Sequence, residues 1–149
     1  MTAIVYSTIS DVAQSTVYSI LNGDATVLSL AGKILDGSAT GITREQSSFV
    51  LVHTPSVSEE SVTAGKNRRV TISMDVDCLS KKESVARRLS DAIRAALATN
   101  SATLNAALLR TKRIVSSSVG SVDLPSGNVI DTRHIIILTV QFTWFGREV

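Results

Sequence analysis

The side chains best suited to metal binding or nucleophilic chemistry are few, namely two histidines and one cysteine. Neither His53 nor His134 has a partner at the spacing of an H-x-x-x-H or C-x-x-C motif, so the sequence predicts no zinc site. We expect each histidine at a strand end, in a structural or surface position. Cys78 follows Met74 and Val76 on the apolar side of an alternating segment, where burial raises the pKa of a thiol and suppresses its reactivity. We therefore expect Cys78 to be a core residue.

Paired carboxylates and glycine-lysine pairs are the other features that can carry chemistry. Asp75 and Asp77 share one strand face, where two carboxylates can bind a cation or act as an acid-base pair. A solvated strand face explains them more simply. The Gly-Lys pairs at Gly32 and Gly65 lack the upstream glycine and the following Ser or Thr of a P-loop, and the sequence contains no G-x-S-x-G or S-x-x-K motif. The sequence thus predicts no enzyme, no metal site and no cofactor.

Basic side chains are concentrated in two short segments, residues 66–69 and 110–113. They can meet phosphate groups or the acidic residues of a neighbouring copy, Glu59 and Glu60. We favour the neighbouring copy, because free nucleic-acid binding usually requires a more basic domain or stacking aromatic side chains. The chain has only three phenylalanines, two tyrosines and one tryptophan, and at least three of these six lie on the last predicted strand.

The charge is divided unevenly along the chain, although the net charge is only +2. Residues 1–60 carry 2 Lys or Arg against 6 Asp or Glu, whereas residues 61–149 carry 13 against 7. Opposite charge in two regions suits head-to-tail contact between copies, where complementary patches set register and encounter rate. Scattered solvated charges would give the same count.

Length and composition favour one folded domain spanning residues 1–149. Hydrophobic residues make up 44% and charged residues 19%, with only two prolines and eight glycines, which argues against a disordered or low-complexity chain. The longest apolar run, beginning at Ile135, is far shorter than the ~20 residues of a membrane span, and no signal peptide is evident. A single cysteine cannot form an internal disulfide, which suits a reducing cytoplasm.

The first half of the chain shows helical and then strand patterns. Residues 11–22 have one apolar face and Asp11 as a candidate cap, and a shorter helical turn begins at Asp24. The predicted elements that follow are a strand at Lys33–Leu35, a loop over 36–47, a strand at Phe49–His53 and a polar excursion over Val57–Lys66.

The second half contains the best-specified elements. Apolar and polar residues alternate cleanly over Arg68–Leu79, which predicts a strand. Ser80-Lys81-Lys82-Glu83 matches a capping box and predicts a helix that ends near Thr99-Asn100. The predicted elements after it are a short helix over 102–109, a strand at Arg110–Val122, a hairpin connection at Asp123–Asn128 and a last strand at Val129–Phe145.

The element order predicts an α+β fold with a mainly antiparallel sheet of four to five strands and helices packed on one face. Ile135 and Ile137 fall on the opposite face of the last strand, and apolar residues on an open sheet face indicate a partner. Together with the charged segments they give the candidate subunit-contact residues. These are Glu59, Glu60, Lys66, Arg68, Arg69, Arg110, Lys112, Arg113, Ile135 and Ile137.

This order of elements resembles the tail-terminator or tail-completion family of long-tailed bacteriophages. The resemblance rests on the order itself and on a strand carrying aspartates, Val70 to Val76, that runs into the Ala-Arg-Arg-Leu-Ser-Asp-Ala-Ile-Arg-Ala-Ala-Leu helix of residues 86–97. It implies a sheet flanked by helices in a subunit that assembles into a hexameric ring. It also implies a virion protein, assembled in the host cytoplasm, that ends growth of the tail tube.

The partners implied by the resemblance are further copies of the chain, the tail tube protein and the head-tail connector. DNA would pass through the ring without sequence-specific binding, and no membrane is involved. Another neck component, such as a head-completion or stopper protein, would form a ring in the same way. A small nucleic-acid-binding or ligand-binding α+β module is the alternative from a different class.

Overall fold

A mixed β-sheet covered by helices forms the protein, whose computed structural model describes residues 6–36, 48–62, 67–126 and 129–147. The helices are α1 (Tyr6–Asn22), α2 (Ala25–Leu30), α3 (Glu83–Thr99) and α4 (Ser101–Ala106). The strands are β1 (Lys33–Asp36), β2 (Ser48–Val52), β3 (Ser56–Val62), β4 (Asn67–Ser80), β5 (Leu109–Ser126) and β6 (Val129–Arg147). The α+β class is therefore confirmed. None of the helices in these ranges has the length and hydrophobicity that a membrane span requires.

The sheet has the strand order β1-β2-β4-β6-β5, and among the described strand pairs only β1–β2 is parallel. The sixth strand, β3, pairs with β4. Because β6 occupies the whole of one edge of β4, β2 and β3 must follow one another along the other edge. The backbone N–H of His53, between β2 and β3, continues the ladder by donating to the Asp75 carbonyl over 3.0 Å.

The polar excursion predicted for Val57–Lys66 is wrong as far as residue 62, because these residues form β3. Residues 63–66 lie outside the described part. The sequence of β3, Ser-Val-Ser-Glu-Glu-Ser-Val, has little apolar alternation, although Val57 packs against the core. The strand forms because the free edge of β4 supplies a complete row of backbone partners from Arg68 to Ser73. A backbone ladder of this kind leaves no hydrophobic pattern in the sequence.

The helix boundaries differ from the predicted ones at two N-termini. Helix α1 begins at Tyr6, so Asp11 lies inside it and does not cap it. Ser80 does not form the predicted capping box with Glu83, because it is the last residue of β4 and is buried there. The Ser80 hydroxyl contacts the Ser48 hydroxyl at 2.9 Å and accepts a 3.2 Å bond from the Lys82 backbone. The Asp24 cap of α2 is confirmed, because its carboxylate accepts a 2.9 Å bond from the Val27 backbone N–H.

The hairpin between β5 and β6 is longer than predicted. The sequence places its connection at Asp123–Asn128, whereas β5 continues to Ser126 and β6 starts at Val129, so only residues 127–128 separate the strands. Pro125 fits at this position opposite Ile130, since β5 is an edge strand whose outer side needs no proline N–H. The last strand confirms the prediction and extends two residues beyond Phe145.

The core lies between the sheet and the helices, as the alternation predicts. The residues that fill it from β4, β6 and α3 include Val70, Ile72, Met74, Val76, Cys78, Leu138, Val140, Phe142, Leu89 and Ile93. The helical period also places Val85 on the apolar face of α3, but this residue is only partly buried. Two hydrogen bonds fasten α1 to the sheet, from the Gln14 amide to the Val52 carbonyl at 3.2 Å and from the Ser10 hydroxyl to the Pro55 carbonyl at 3.3 Å.

A smaller apolar cluster occupies the face of the sheet away from the helices. Phe49, Leu79 and Ile135 lie side by side on β2, β4 and β6 and are buried. Leu51 and Ile137 pack against them and are partly buried. Ile135 is only 9% exposed in the single chain, so the open apolar face is smaller than the alternation alone indicates.

Cys78 is buried in the main core, as predicted. Burial raises the pKa of its thiol, and the neighbouring Asp77 carboxylate raises it further. The thiolate is therefore suppressed in the folded state at neutral and mildly alkaline pH.

We predict that Leu89→Ala lowers the free energy of unfolding by about 2–5 kcal/mol, because Leu89 is fully buried and the substitution leaves a cavity. Leu28→Ala is the matched control, since Leu28 is 42% exposed on α2 and the same change there should stay within about 0.5 kcal/mol. Urea denaturation of the three proteins measures both values. Equal midpoints for the wild type and Leu89→Ala would mean that α3 presents a different face to the sheet.

We predict that stability falls as the pH rises above about 8.5, where the thiol of the unfolded chain ionises while the raised pKa keeps Cys78 protonated in the folded chain. The contribution of the buried thiol is fully present below that pH and is lost progressively above it. Cys78→Ala should make the decline of the free energy of unfolding with pH less steep, by about 1 kcal/mol per pH unit. Denaturation curves between pH 7 and 10 provide the test, and identical slopes for both proteins would contradict it.

Candidate subunit-contact surface

The carboxylates of β4 are engaged with neighbouring strands on the face away from the helices. The Asp77 Oδ2 lies 2.7 Å from the His53 Nε2, with side-chain exposures of 15% and 43%. The Thr139 hydroxyl donates to the Asp75 carboxylate over 2.9 Å. Sequence reasoning missed the His53–Asp77 pair, because it depends on the alignment of β2 beside β4. Over the described residues, no group of three or more His, Cys, Asp or Glu side chains could hold a metal ion.

A basic groove of about 790 Å³ opens at the other end of this face. We use the name basic groove for the surface formed by Arg69, Asn105, Leu108, Leu109, Arg110, Lys112 and Thr143. Its cations come from the two basic segments singled out in the sequence. The groove therefore brings together side chains that are some 40 positions apart in the chain.

Strand register explains how the cations meet. Val70 and Leu109 are buried toward the helices, so the adjacent Arg69 and Arg110 lie on the opposite face. Arg110 pairs with Thr143 of β6, and Arg69 pairs with Phe145, two residues further along the same strand. Strand β6 thus separates the two arginines and forms the floor between them.

An irregularity in β5 exposes more than one cation on this side. The register shifts between Thr111 and Arg113, so Lys112 has no partner position on β6 and the strict alternation of side chains is interrupted there. Arg110, Lys112 and Arg113 are all exposed. The carbonyl of Ile114, the next residue, accepts a 3.4 Å bond from Arg94 of α3, which fixes the strand against the helix.

The groove is suited to an anionic partner. Arg69, Arg110 and Lys112 carry positive charge, and the Asn105 amide and the Thr143 hydroxyl add hydrogen-bond donors. None of the described residues that line the groove is acidic. Guanidinium groups bind carboxylates and phosphates through paired, charge-assisted hydrogen bonds. Leu108 adds an apolar edge, since it is 51% exposed.

The remaining candidate residues lie around this surface or outside the described part. Glu59 and Glu60 belong to β3, and Arg68 to β4, but their side chains and all of Lys66 lie outside the described residues. Glu59 pairs with Val70 in the same chain, one position from Arg69.

The hairpin formed by β5 and β6 extends past the rest of the sheet. Strand β4 ends at Ser80, which pairs with His134, whereas residues 122–126 and 129–133 pair only with each other in the described register. We call these residues the arm. Arg133 lies at its base and is buried, which is unusual for a charged side chain. Sequence reasoning missed the arm, because the Pro and Gly near its tip suggested an earlier end of the strands.

Comparisons with known proteins agree with the resemblance found in the sequence. The model of the family described as tail completion protein gp17 matches residues 15–139, which include the C-terminal part of α1, the arm and much of the basic groove. No curated protein matches the sequence. A chain of the solved structure titled virion of native gene transfer agent (GTA) particle is similar at 14% identity and a TM-score of 0.49, over 87% of this chain and 93% of that chain. The match to the family model over most of the length shows that this chain belongs to the tail completion protein gp17 family and is a structural protein of the virion tail.

Proposed function

We propose that the protein forms a closed ring that ends growth of the tail tube and joins the tail to the head connector. The observation that carries this proposal is the family match over residues 15–139. Its description, tail completion, is a role in assembly and not in catalysis. The proposed ring has six copies, as the resemblance of the element order implies.

The distribution of charge supports assembly from copies of one chain. The basic groove offers a site for an anionic partner, and the N-terminal 60 residues are net acidic. Contacts between different surfaces of identical subunits either close into a ring or continue into a filament. A protein that completes a tail has to stop growth, so closure is the outcome that suits it. DNA then passes through the centre of the ring without sequence-specific contacts.

A head-completion or stopper protein is the alternative within the same class, and it would use a ring in the same way. From a different class, a small nucleic-acid-binding module is favoured by one observation, the three cations of the basic groove. Such a module would bind DNA as a monomer, with an affinity that falls steeply as salt is raised. The oligomeric state and the salt dependence distinguish the two classes.

We predict that the purified protein gives a closed ring of six copies, in which each subunit contact buries at least about 1,000 Å² in total. Native mass spectrometry gives the number of copies, and electron microscopy of particles gives the position in the virion. Phage lacking the protein should produce filled heads and unjoined tails of uncontrolled length. Tails of normal length joined to heads in its absence would exclude this role, and a strictly monomeric protein would exclude the ring.

We also predict that reversing the charge of Arg68 and Arg69 to Glu weakens assembly and leaves the fold intact. Arg69 is exposed and lines the basic groove, so reversal removes attraction to an acidic partner and adds repulsion. Arg87→Glu with Arg88→Glu is the matched control, because it reverses two adjacent, exposed arginines on α3. Sedimentation velocity compares the two double variants. If the variant with Arg68→Glu and Arg69→Glu formed as many rings as the wild type, this contact would be excluded from the proposal.

A further inference from the structure

The arm and the basic groove lie at opposite ends of one hairpin. The groove begins where Arg110 pairs with Thr143, and the arm ends where Ser126 pairs with Val129. From Arg110 to Asp123 the strand advances roughly 40 Å at about 3.3 Å per residue. The register is continuous between these points apart from two shifts, so the arm cannot fold back onto the groove of its own chain.

The charge of the hairpin also divides between its ends. Residues 114–132 contain no Lys or Arg and carry two acidic residues, Asp123 and Asp131, both within the arm. The arginine of the arm, Arg133, is buried at its base. The register aligns Asp123 with Thr132 and Asp131 with Leu124, so the two aspartates occupy adjacent rungs. The opposite end carries Arg110 and Lys112 beside Arg69 of β4.

We propose that the arm of one copy docks into the basic groove of the next copy. This inference rests on the proposed ring and identifies the contact that builds it. The two aspartates of the arm are opposite in charge to the groove cations Arg69, Arg110 and Lys112. Projection beyond β4 leaves the arm without a neighbouring strand in its own described sheet, so it can reach another subunit without rearrangement of the core.

The contact is head-to-tail, because the arm and the groove are different surfaces of the same chain. Every subunit then presents one free arm and one free groove until the ring closes. An isologous pair, in which the same patch meets itself, would bring acidic arm against acidic arm or cation against cation, at a cost in repulsion. Charge therefore favours the heterologous arrangement that a ring needs.

Charge reversal on each side of the contact tests the proposal in the full chain. The arm variant carries Asp123→Lys and Asp131→Lys, and the groove variant carries Arg69→Glu and Arg110→Glu. Each should raise the dissociation constant of the assembly at least about tenfold, as measured by sedimentation velocity and native mass spectrometry. Asp11→Lys with Asp91→Lys is the control for the arm variant, because both aspartates are exposed on helices and should have no effect.

Mixing provides the decisive measurement. In an equimolar mixture the reversed arm of one variant fits the reversed groove of the other, and the two unaltered surfaces fit one another as before. Rings in which the variants alternate should form, although neither variant assembles well alone. A contact within one chain cannot be restored by mixing, so this result is specific to contact between copies. Asp123→Lys alone replaces the arm variant if thermal unfolding shows that the double substitution disturbs the fold.

Other outcomes would overturn the inference. Wild-type rings together with undiminished rings of both variants would exclude the arm-groove contact while leaving the proposed ring in place. A monomeric wild type would exclude the ring itself. A groove variant that keeps its rings but loses affinity for short duplex DNA would identify the groove as a nucleic-acid site instead.

Discussion

The pairing of β4 with β6 is the interaction on which the rest of the structure depends. It runs along all 14 residues of β4 without a register shift. The same alignment that buries Ile72 and Phe142 under the helices places Arg69 and Thr143 on the opposite face. A slip of one residue would exchange the two faces of one strand and would bring charged side chains into the core. The core and the candidate surface are therefore specified by one set of contacts.

Elements with a strong hydrophobic period were predictable from the sequence. Strands β4 and β6 and helix α3 alternate apolar and polar residues with the period of their own geometry, and Cys78 could be placed in the core for that reason. Elements held by backbone pairing were not predictable. Strand β3 forms by pairing with the free edge of β4. Ser80 ends β4 and does not cap the helix, because its buried hydroxyl contacts the Ser48 hydroxyl.

The candidate surface was predictable in composition but not in arrangement. The basic segments are evident in the sequence, whereas the grouping of Arg69 with Arg110 requires knowing that β6 lies between β4 and β5. The face away from the helices thus has an apolar end at Phe49 and a cationic end at the groove, with the carboxylates of β4 between them. Such an ordered face gives a partner only one favourable orientation.

Leu108, at the edge of the basic groove, has a φ of 63°, in the left-handed region that residues other than Gly, Asn and Asp rarely adopt. Holding a leucine in that conformation costs about 1–3 kcal/mol, and half of its side chain faces water. The turn between α4 and β5 imposes the conformation, because the Leu108 N–H donates to the Asn105 carbonyl over 3.0 Å and Leu109 must enter the core. Glycine would satisfy the turn at lower cost, so stability of the lone subunit does not account for leucine here. Burial of the Leu108 side chain by a partner would offset part of the free-energy cost of this backbone conformation. The isolated subunit is therefore less stable than the same fold with glycine at this position would be.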